Sequence, residues 1–118
     1  MAYMPIVEVP KWALALLNNL FEIERKLLRH GDPGNAKRNV DRIKDTLLVE
    51  GLFYEDPEGQ PFKETRTDLE ATISGESAEN LIVTEVIKPI IRWRREDFSR
   101  VVQKGIVVVQ SIDRESVL

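Results

Sequence analysis

The 118-residue chain contains no cysteine, a single histidine and no apolar run approaching the roughly 18 residues that a membrane-spanning helix needs. The lack of cysteine excludes disulfides, thiolate nucleophiles and zinc–thiolate sites, and it is typical of a reducing compartment. The first ten residues lack the basic start and long apolar stretch of a secretory signal. We therefore expect a cytoplasmic protein without a membrane partner.

Residue sets for catalysis are also sparse. His30 has no second histidine for a metal pair, and its place at the end of a predicted helix favours a role opposite the helix dipole. A metal-dependent hydrolase is the enzyme alternative, with Asp68, Glu70, Glu85 and Lys88 as its residues. Side chains alternate along a strand, which places Glu85 and Lys88 on opposite faces. No glycine-rich phosphate loop is present. We expect a protein that is not an enzyme and has no cofactor or metal.

Charge is unevenly distributed, although the net charge is only -3. Residues 50–80 contain nine acids and two bases, whereas residues 88–104 contain six bases and two acids. The basic segment includes a tryptophan, so a nucleic-acid surface is one alternative, which the acidic stretch disfavours. Arginine and tryptophan are over-represented at protein–protein hot spots, and we therefore expect a protein partner. The predicted partner-binding residues are Arg92, Trp93, Arg94, Arg95 and Arg100.

Apolar spacing predicts two helices in the first half of the chain, Lys11–Arg29 and a second helix from about residue 36 to Glu50. Asn35 or Asp32 can cap the second helix. Beyond Gly51, runs of β-branched residues separated by turn formers predict strands. The predicted strands are Leu52–Tyr54, Leu69–Ser74, Leu81–Lys88, Ile90–Arg95, Phe98–Val102 and Ile106–Ile112. The fold class is therefore α+β, with an antiparallel helical hairpin over residues 1–51 and a small, mostly antiparallel β domain over residues 52–118.

The start of the first helix predicts assembly, because the six consecutive apolar residues Trp12–Leu17 cover every face of the helix. A single neighbouring surface cannot bury them all. We expect a homodimer in which two hairpins form a four-helix bundle, and the alternative is a monomer whose sheet folds over the hairpin. The predicted dimer interface consists of Trp12, Leu16, Leu17, Leu20, Phe21, Leu28, Val40, Ile43 and Leu47.

Several stretches taken in chain order carry a resemblance to a known family. They are Ala15–Leu27, Val49–Leu52, Asp56–Phe62, Leu69–Ile73, Val83–Ile87 and Ser99–Val102 followed by Val107–Val109. In this order and spacing they resemble the landmarks of the GrpE family of nucleotide exchange factors, over nearly the whole chain. The most specific pieces are Gly59-x-Pro61-Phe62 followed by Glu70-Ala71, and the closing Ser99–Val102 before Val107–Val109.

The resemblance implies a dimer with a four-helix bundle, from which β domains project and open the nucleotide cleft of a DnaK-type chaperone so that ADP leaves. It also implies that Arg100, which matches an arginine of the family's last hairpin, contacts the chaperone. The chain differs from the family in having Lys63-Glu64 where an Asp-Pro pair is expected, and only ten residues before the first helix instead of a long stalk helix. The alternative is a divergent homodimeric adaptor that uses the same fold for another partner.

Overall fold

The computed structural model describes residues 8–112. It contains two helices and six strands in the expected α+β order, and the outer ends of the two expected domains, residues 1–7 and 113–118, lie outside the described residues. The elements are α1 (Lys11–His30), α2 (Lys37–Val49), β1 (Leu52–Glu55), β2 (Leu69–Ser74), β3 (Leu81–Lys88), β4 (Ile90–Arg95), β5 (Phe98–Gln103) and β6 (Gly105–Ser111). The predicted ends are confirmed to within one or two residues.

The start of α2 is fixed by an acidic cap. The carboxylate of Asp32 accepts hydrogen bonds from the backbone N–H of Ala36 at 2.6 Å and of Lys37 at 2.9 Å. These N–H groups have no partner within the helix, so the cap satisfies them. Of the two caps that the sequence allows, the structure therefore selects Asp32, while Asn35 turns the chain with a φ of 55°.

The strands form two three-stranded sheets. The first has the order β1-β4-β5 and is antiparallel throughout, whereas the second has the order β2-β6-β3. In the second sheet β3 is antiparallel to β6 and β2 is parallel to it. The β half is therefore mostly antiparallel, as expected, and its one parallel pair places β2 beside β6.

Two hydrophobic clusters hold these layers together. The first joins the helical hairpin to the first sheet and consists of Ala13, Leu17, Leu20, Val40, Leu47, Leu52, Ile91 and Trp93. The second joins α1 to the second sheet and consists of Phe21, Leu69, Leu81, Val83, Val86, Ile90, Val107 and Val109. Residues on both sides of the expected domain boundary between residues 51 and 52 pack together in the first cluster, so the hairpin and the first sheet share one core.

Polar contacts also attach the helices to the strands. Glu24 of α1 accepts hydrogen bonds from the hydroxyl of Tyr54 and from the ammonium of Lys44, the latter at 2.9 Å. The Lys44 ammonium also lies 4.7 Å from the centre of the Tyr54 ring. Arg25, one residue further along α1, donates to the backbone carbonyl of Val86 in β3. These contacts orient α1 against both sheets.

Packing within one chain buries part of the predicted dimer interface. The two hydrophobic clusters of the same chain already bury Leu17, Leu20, Phe21, Val40 and Leu47. A side chain buried in this way offers little surface to a second copy. Trp12, Leu28 and Ile43 remain 65%, 84% and 40% exposed, and Leu16 is half-buried.

Among residues 8–112, no helix combines the length and apolar character required to cross a membrane.

Candidate partner-binding surface

The predicted partner-binding residues lie on the β4–β5 hairpin and divide between its two faces. Trp93 is directly opposite Arg100 in the hairpin, and Arg95 is opposite Phe98. Residues opposite each other project to the same face, and successive residues of a strand alternate between faces. Trp93, Arg95 and Arg100 therefore share one face with Phe98, while Arg92 and Arg94 project from the other.

Trp93 is the anchor of this hairpin. Its ring belongs to the first hydrophobic cluster and the residue is only 8% exposed. The indole N–H donates a hydrogen bond to the backbone carbonyl of Glu50 at 3.1 Å, which satisfies its one polar group. Phe98 meets the indole edge to face, with 5.7 Å between ring centres. Trp93 therefore positions its neighbours and presents little surface of its own.

Two arginines flank this tryptophan. The guanidinium carbon of Arg100 lies 5.3 Å from the centre of the Trp93 ring, and that of Arg95 lies 5.9 Å from it. Both arginines are exposed, and Phe98 is 47% exposed. An arginine stacked on an aromatic ring keeps its N–H donors in the guanidinium plane, where they can bind carboxylates. We call Arg95, Phe98 and Arg100, arranged around Trp93, the Trp93 surface.

An open groove of about 420 Å³ adjoins the Trp93 surface. Its walls include Pro10 and the exposed Trp12 on the helical side, and Leu52, Trp93 and Arg95 on the sheet side. Apolar grooves with a few charged groups at the rim are typical ligand and partner sites. The groove therefore extends the Trp93 surface towards the start of α1.

Sequence reasoning missed Phe98 as a member of this surface. The signal for it was present, because Arg95 and Phe98 are separated by Glu96 and Asp97 alone. Two-residue connections are the commonest hairpin turns, and they place the flanking residues opposite each other. The positive φ of 43° at Glu96 is compatible with such a tight turn.

Arg92, which the sequence predicts to contact a partner, is engaged by acidic residues of the same chain. Its guanidinium forms ion pairs with Glu55 at 3.0 Å and with Asp68 at 2.8 Å. Asp68 is also paired with Arg66 at 3.0 Å. The hydrogen bond from Arg66 is the main reason that the pKa of Asp68 lies below its usual value, and Arg92 contributes to the same effect. Arg92 thus connects the first sheet to the chain entering the second.

Arg94, the remaining arginine of the predicted set, lies on the other face of the hairpin from the Trp93 surface. Its guanidinium carbon is 4.7 Å from the centre of the Phe53 ring, on the face of the sheet opposite to Trp93. The side chain is exposed there. Since it has the charge of the other arginines but a different location, Arg94 is a natural control residue.

The structure gives no geometry for a metal-dependent site in the part of the chain that it describes. Within residues 8–112, no group of three or more histidine, cysteine, aspartate or glutamate side chains could hold a metal ion. Asp68 is used by two arginines, as described above. Glu70 and Glu85 lie on strands on opposite sides of β6.

Comparison with protein-family models, curated proteins and solved structures found no match to this chain. Function is therefore inferred from the described residues together with the sequence resemblance.

Proposed function

We propose that this chain is a GrpE-like, non-enzymatic protein that binds a DnaK-type chaperone through the Trp93 surface and promotes ADP release. The observation that supports it best is the position of Arg100. This residue matches the family's contact arginine, and it is exposed on β5, with its guanidinium carbon 5.3 Å from the ring centre of a buried tryptophan, beside a second arginine and an exposed phenylalanine. A rigid aromatic centre with flanking arginines is typical of a binding hot spot.

Exchange by such a protein needs no catalytic group. A partner that binds the open form of a nucleotide cleft more tightly than the closed form shifts the chaperone towards the open form. By thermodynamic linkage, ADP binding is weakened by the same coupling free energy by which ADP weakens binding of this protein. The Trp93 surface would supply this differential binding by pairing arginines with carboxylates that are accessible in the open form. The β4–β5 hairpin suits this task because its core attachment through Trp93 keeps the arginines in place.

The decisive experiment measures release of a fluorescent ADP analogue from the DnaK-type chaperone of the same organism. The wild-type protein should accelerate release, and Arg100→Ala should weaken binding by about 2 to 4 kcal/mol if this residue is a hot spot. Arg100→Lys should restore part of the effect, because lysine keeps the charge but lacks the planar fork. Arg94→Ala is the matched control and should leave exchange unchanged. No acceleration at saturating protein would end the exchange proposal.

We also propose that the active species is a homodimer in which hairpins pair. Trp12, Leu28 and Ile43 support this, since large apolar side chains exposed on helices often mark contact sites. Light scattering should give twice the mass of one chain, and Ile43→Glu should reduce it to one. A wild-type mass of one chain at working concentration would contradict the dimer without affecting the chaperone proposal.

A divergent adaptor with another partner is the second candidate. The departure at Lys63-Glu64 from the family's Asp-Pro pair favours it. A pull-down would then recover a partner other than a chaperone, and Arg100→Ala would abolish that recovery while Arg94→Ala would not. Recovery that is insensitive to both variants would exclude the Trp93 surface from the interaction.

A further inference from the structure

Strand β2 lies at the edge of the second sheet. It pairs with β6 from Leu69 opposite Gly105 to Ser74 opposite Gln110, without any shift of register. On its other side, no strand of residues 8–112 pairs with it. A regular edge of this length exposes a row of backbone donors and acceptors that another extended chain can pair with.

The hydrogen-bond pattern identifies the groups that face outwards. The N–H of Gly105 donates to the carbonyl of Asp68 at 2.9 Å, and in a parallel ladder alternate residues of each strand bond to the partner. Even-numbered residues of β2 therefore bond to β6, and Leu69, Ala71 and Ile73 direct their backbone N–H and C=O groups to the free edge. On the other side of β6, the N–H of Ile112 donates to the carbonyl of Asn80 at 3.0 Å. Even-numbered residues of β6 therefore bond towards β3 and odd-numbered ones towards β2, which agrees with this alternation.

Within residues 8–112, backbone hydrogen bonds protect the opposite edge of this sheet but not that of β2. Along β3, the segment 59–62 forms backbone hydrogen bonds, including one from the N–H of Phe62 to the carbonyl of Leu81 at 2.8 Å. β3 also has two shifts of register, which disrupt a regular edge. β2 has no proline, no lysine or arginine and no bulge, and its residues 72–74 are exposed. Natural sheets use prolines, lysines and bulges to prevent edge pairing, and β2 has none of these three.

The exposed charges on β2 and directly after it are acidic, which favours a basic partner. Glu76 and Glu79, which follow β2 in the chain, are exposed, whereas Asp68, just before β2, is paired with Arg66 and Arg92. Glu70 of β2 is exposed. A second copy of this chain would bring two such acidic segments together, which like-charge repulsion disfavours, whereas a basic chain is attracted.

We propose that the free edge of β2 binds an extended, basic segment of a partner polypeptide by strand addition. The backbone groups of Leu69, Ala71 and Ile73 would form the ladder, and lysine or arginine side chains of the partner would lie near Glu70. This surface belongs to the second sheet and does not depend on the Trp93 surface or on the proposed chaperone. It would give the protein a second partner or a second contact with a large one.

A short synthetic peptide tests this proposal. The probe is a fluorescent peptide of alternating valine and threonine with two lysines at each end, and binding is followed by anisotropy. A matched peptide with glutamates in place of the lysines should bind at least about tenfold more weakly. A second control keeps the lysines but is N-methylated on every valine and threonine, so it has the same charge without the backbone donors. It should show no saturable binding.

Variants of β2 locate the binding edge. Ala71→Pro removes an outward N–H without removing a bond to β6, and proline is tolerated on edge strands in this orientation. Each lost hydrogen bond should weaken binding by about 2- to 10-fold, whereas Ala71→Val keeps the N–H and should bind the peptide as the wild type does. If Ala71→Pro fails to fold, the N-methylated peptide remains the deciding measurement.

Three outcomes would overturn the proposal. One is equal binding of the N-methylated and unmethylated peptides, and another is equal binding of the glutamate and lysine peptides. The third is a wild-type dimer that Ala71→Pro converts to a monomer in light scattering, because the edge would then be occupied by a second copy.

Discussion

Replacing Gly51 with alanine should disrupt the joint between α2 and β1. Gly51 has a φ of 83°, a backbone conformation that residues other than glycine rarely adopt. A Cβ atom there would lie 2.0 Å from the backbone carbonyl oxygen of Arg94 and 3.2 Å from Cδ1 of Trp93. Because the carbonyl belongs to β4, rotation of a side chain cannot relieve the overlap, and the ends of β1 and β4 must separate.

The expected cost has three parts. A left-handed conformation costs a non-glycine residue about 1 to 2 kcal/mol. Separating the strands also breaks the 2.8 Å hydrogen bond from the N–H of Arg94 to the carbonyl of Gly51, worth about 1 kcal/mol. Displacement of the buried Trp93 ring adds a packing loss, so we expect a decrease of more than about 3 kcal/mol in the free energy of unfolding. The free energy of unfolding of a typical domain is about 5 to 15 kcal/mol, so this loss is a large fraction of it.

Urea unfolding followed by tryptophan fluorescence measures this loss, and two other glycines provide controls. Gly59 has a φ of 81° but no atom within 4 Å of an added Cβ, so Gly59→Ala should show only the conformational cost. Gly34 has open space and no positive φ, so Gly34→Ala should be neutral or slightly stabilising. If Gly51→Ala and Gly59→Ala differ by less than about 0.5 kcal/mol, the close approach to β4 does not constrain the fold.

Three further predictions concern polar contacts. The pKa of Asp68 lies below its usual value of 3.8, so its carboxylate stabilises the fold above that pH and this contribution is lost as pH falls through the lowered pKa. Urea unfolding should therefore show Asp68→Asn less stable than the wild type at pH 7, with a difference that shrinks below about pH 3.8. Arg92→Met should lower the free energy of unfolding by about 1 to 2 kcal/mol, because Asp68 and Glu55 lose a partner. A variant as stable as the wild type would exclude a structural role for the two ion pairs of Arg92. Tyr54→Phe removes the hydroxyl that donates to Glu24 and should cost about 1 kcal/mol by the same assay, and an unchanged midpoint would contradict the contact.

Much of the secondary structure could be predicted from the sequence because its signals are local. The apolar spacing of α1 and the glycine at residue 31 indicate where that helix runs and ends. Pro89 separates β3 from β4, and the predicted bounds Leu81–Lys88 and Ile90–Arg95 agree with the structure. Each signal lies within the element or next to it, so no knowledge of the fold is needed to use it.

The candidate surface was predictable only in part. The arginines and Trp93 are close in the sequence, and strand alternation separates Arg92 and Arg94 from the others. The sequence does not show that Arg92 pairs with Glu55 and Asp68, which are 37 and 24 residues away. Such partners depend on the order of the strands, and a local pattern contains no information about that order.

By itself, the sequence determined that α1 has apolar side chains on more than one face and that six strand segments follow. Only the tertiary structure decided what covers them: Leu17 packs with the first sheet, Phe21 packs with the second, and Trp12 remains exposed. It also decided that β2 runs parallel to β6 and leaves one edge free. The physical reason is that apolar burial is non-directional, so a sequence specifies which residues leave water but not which neighbours replace it.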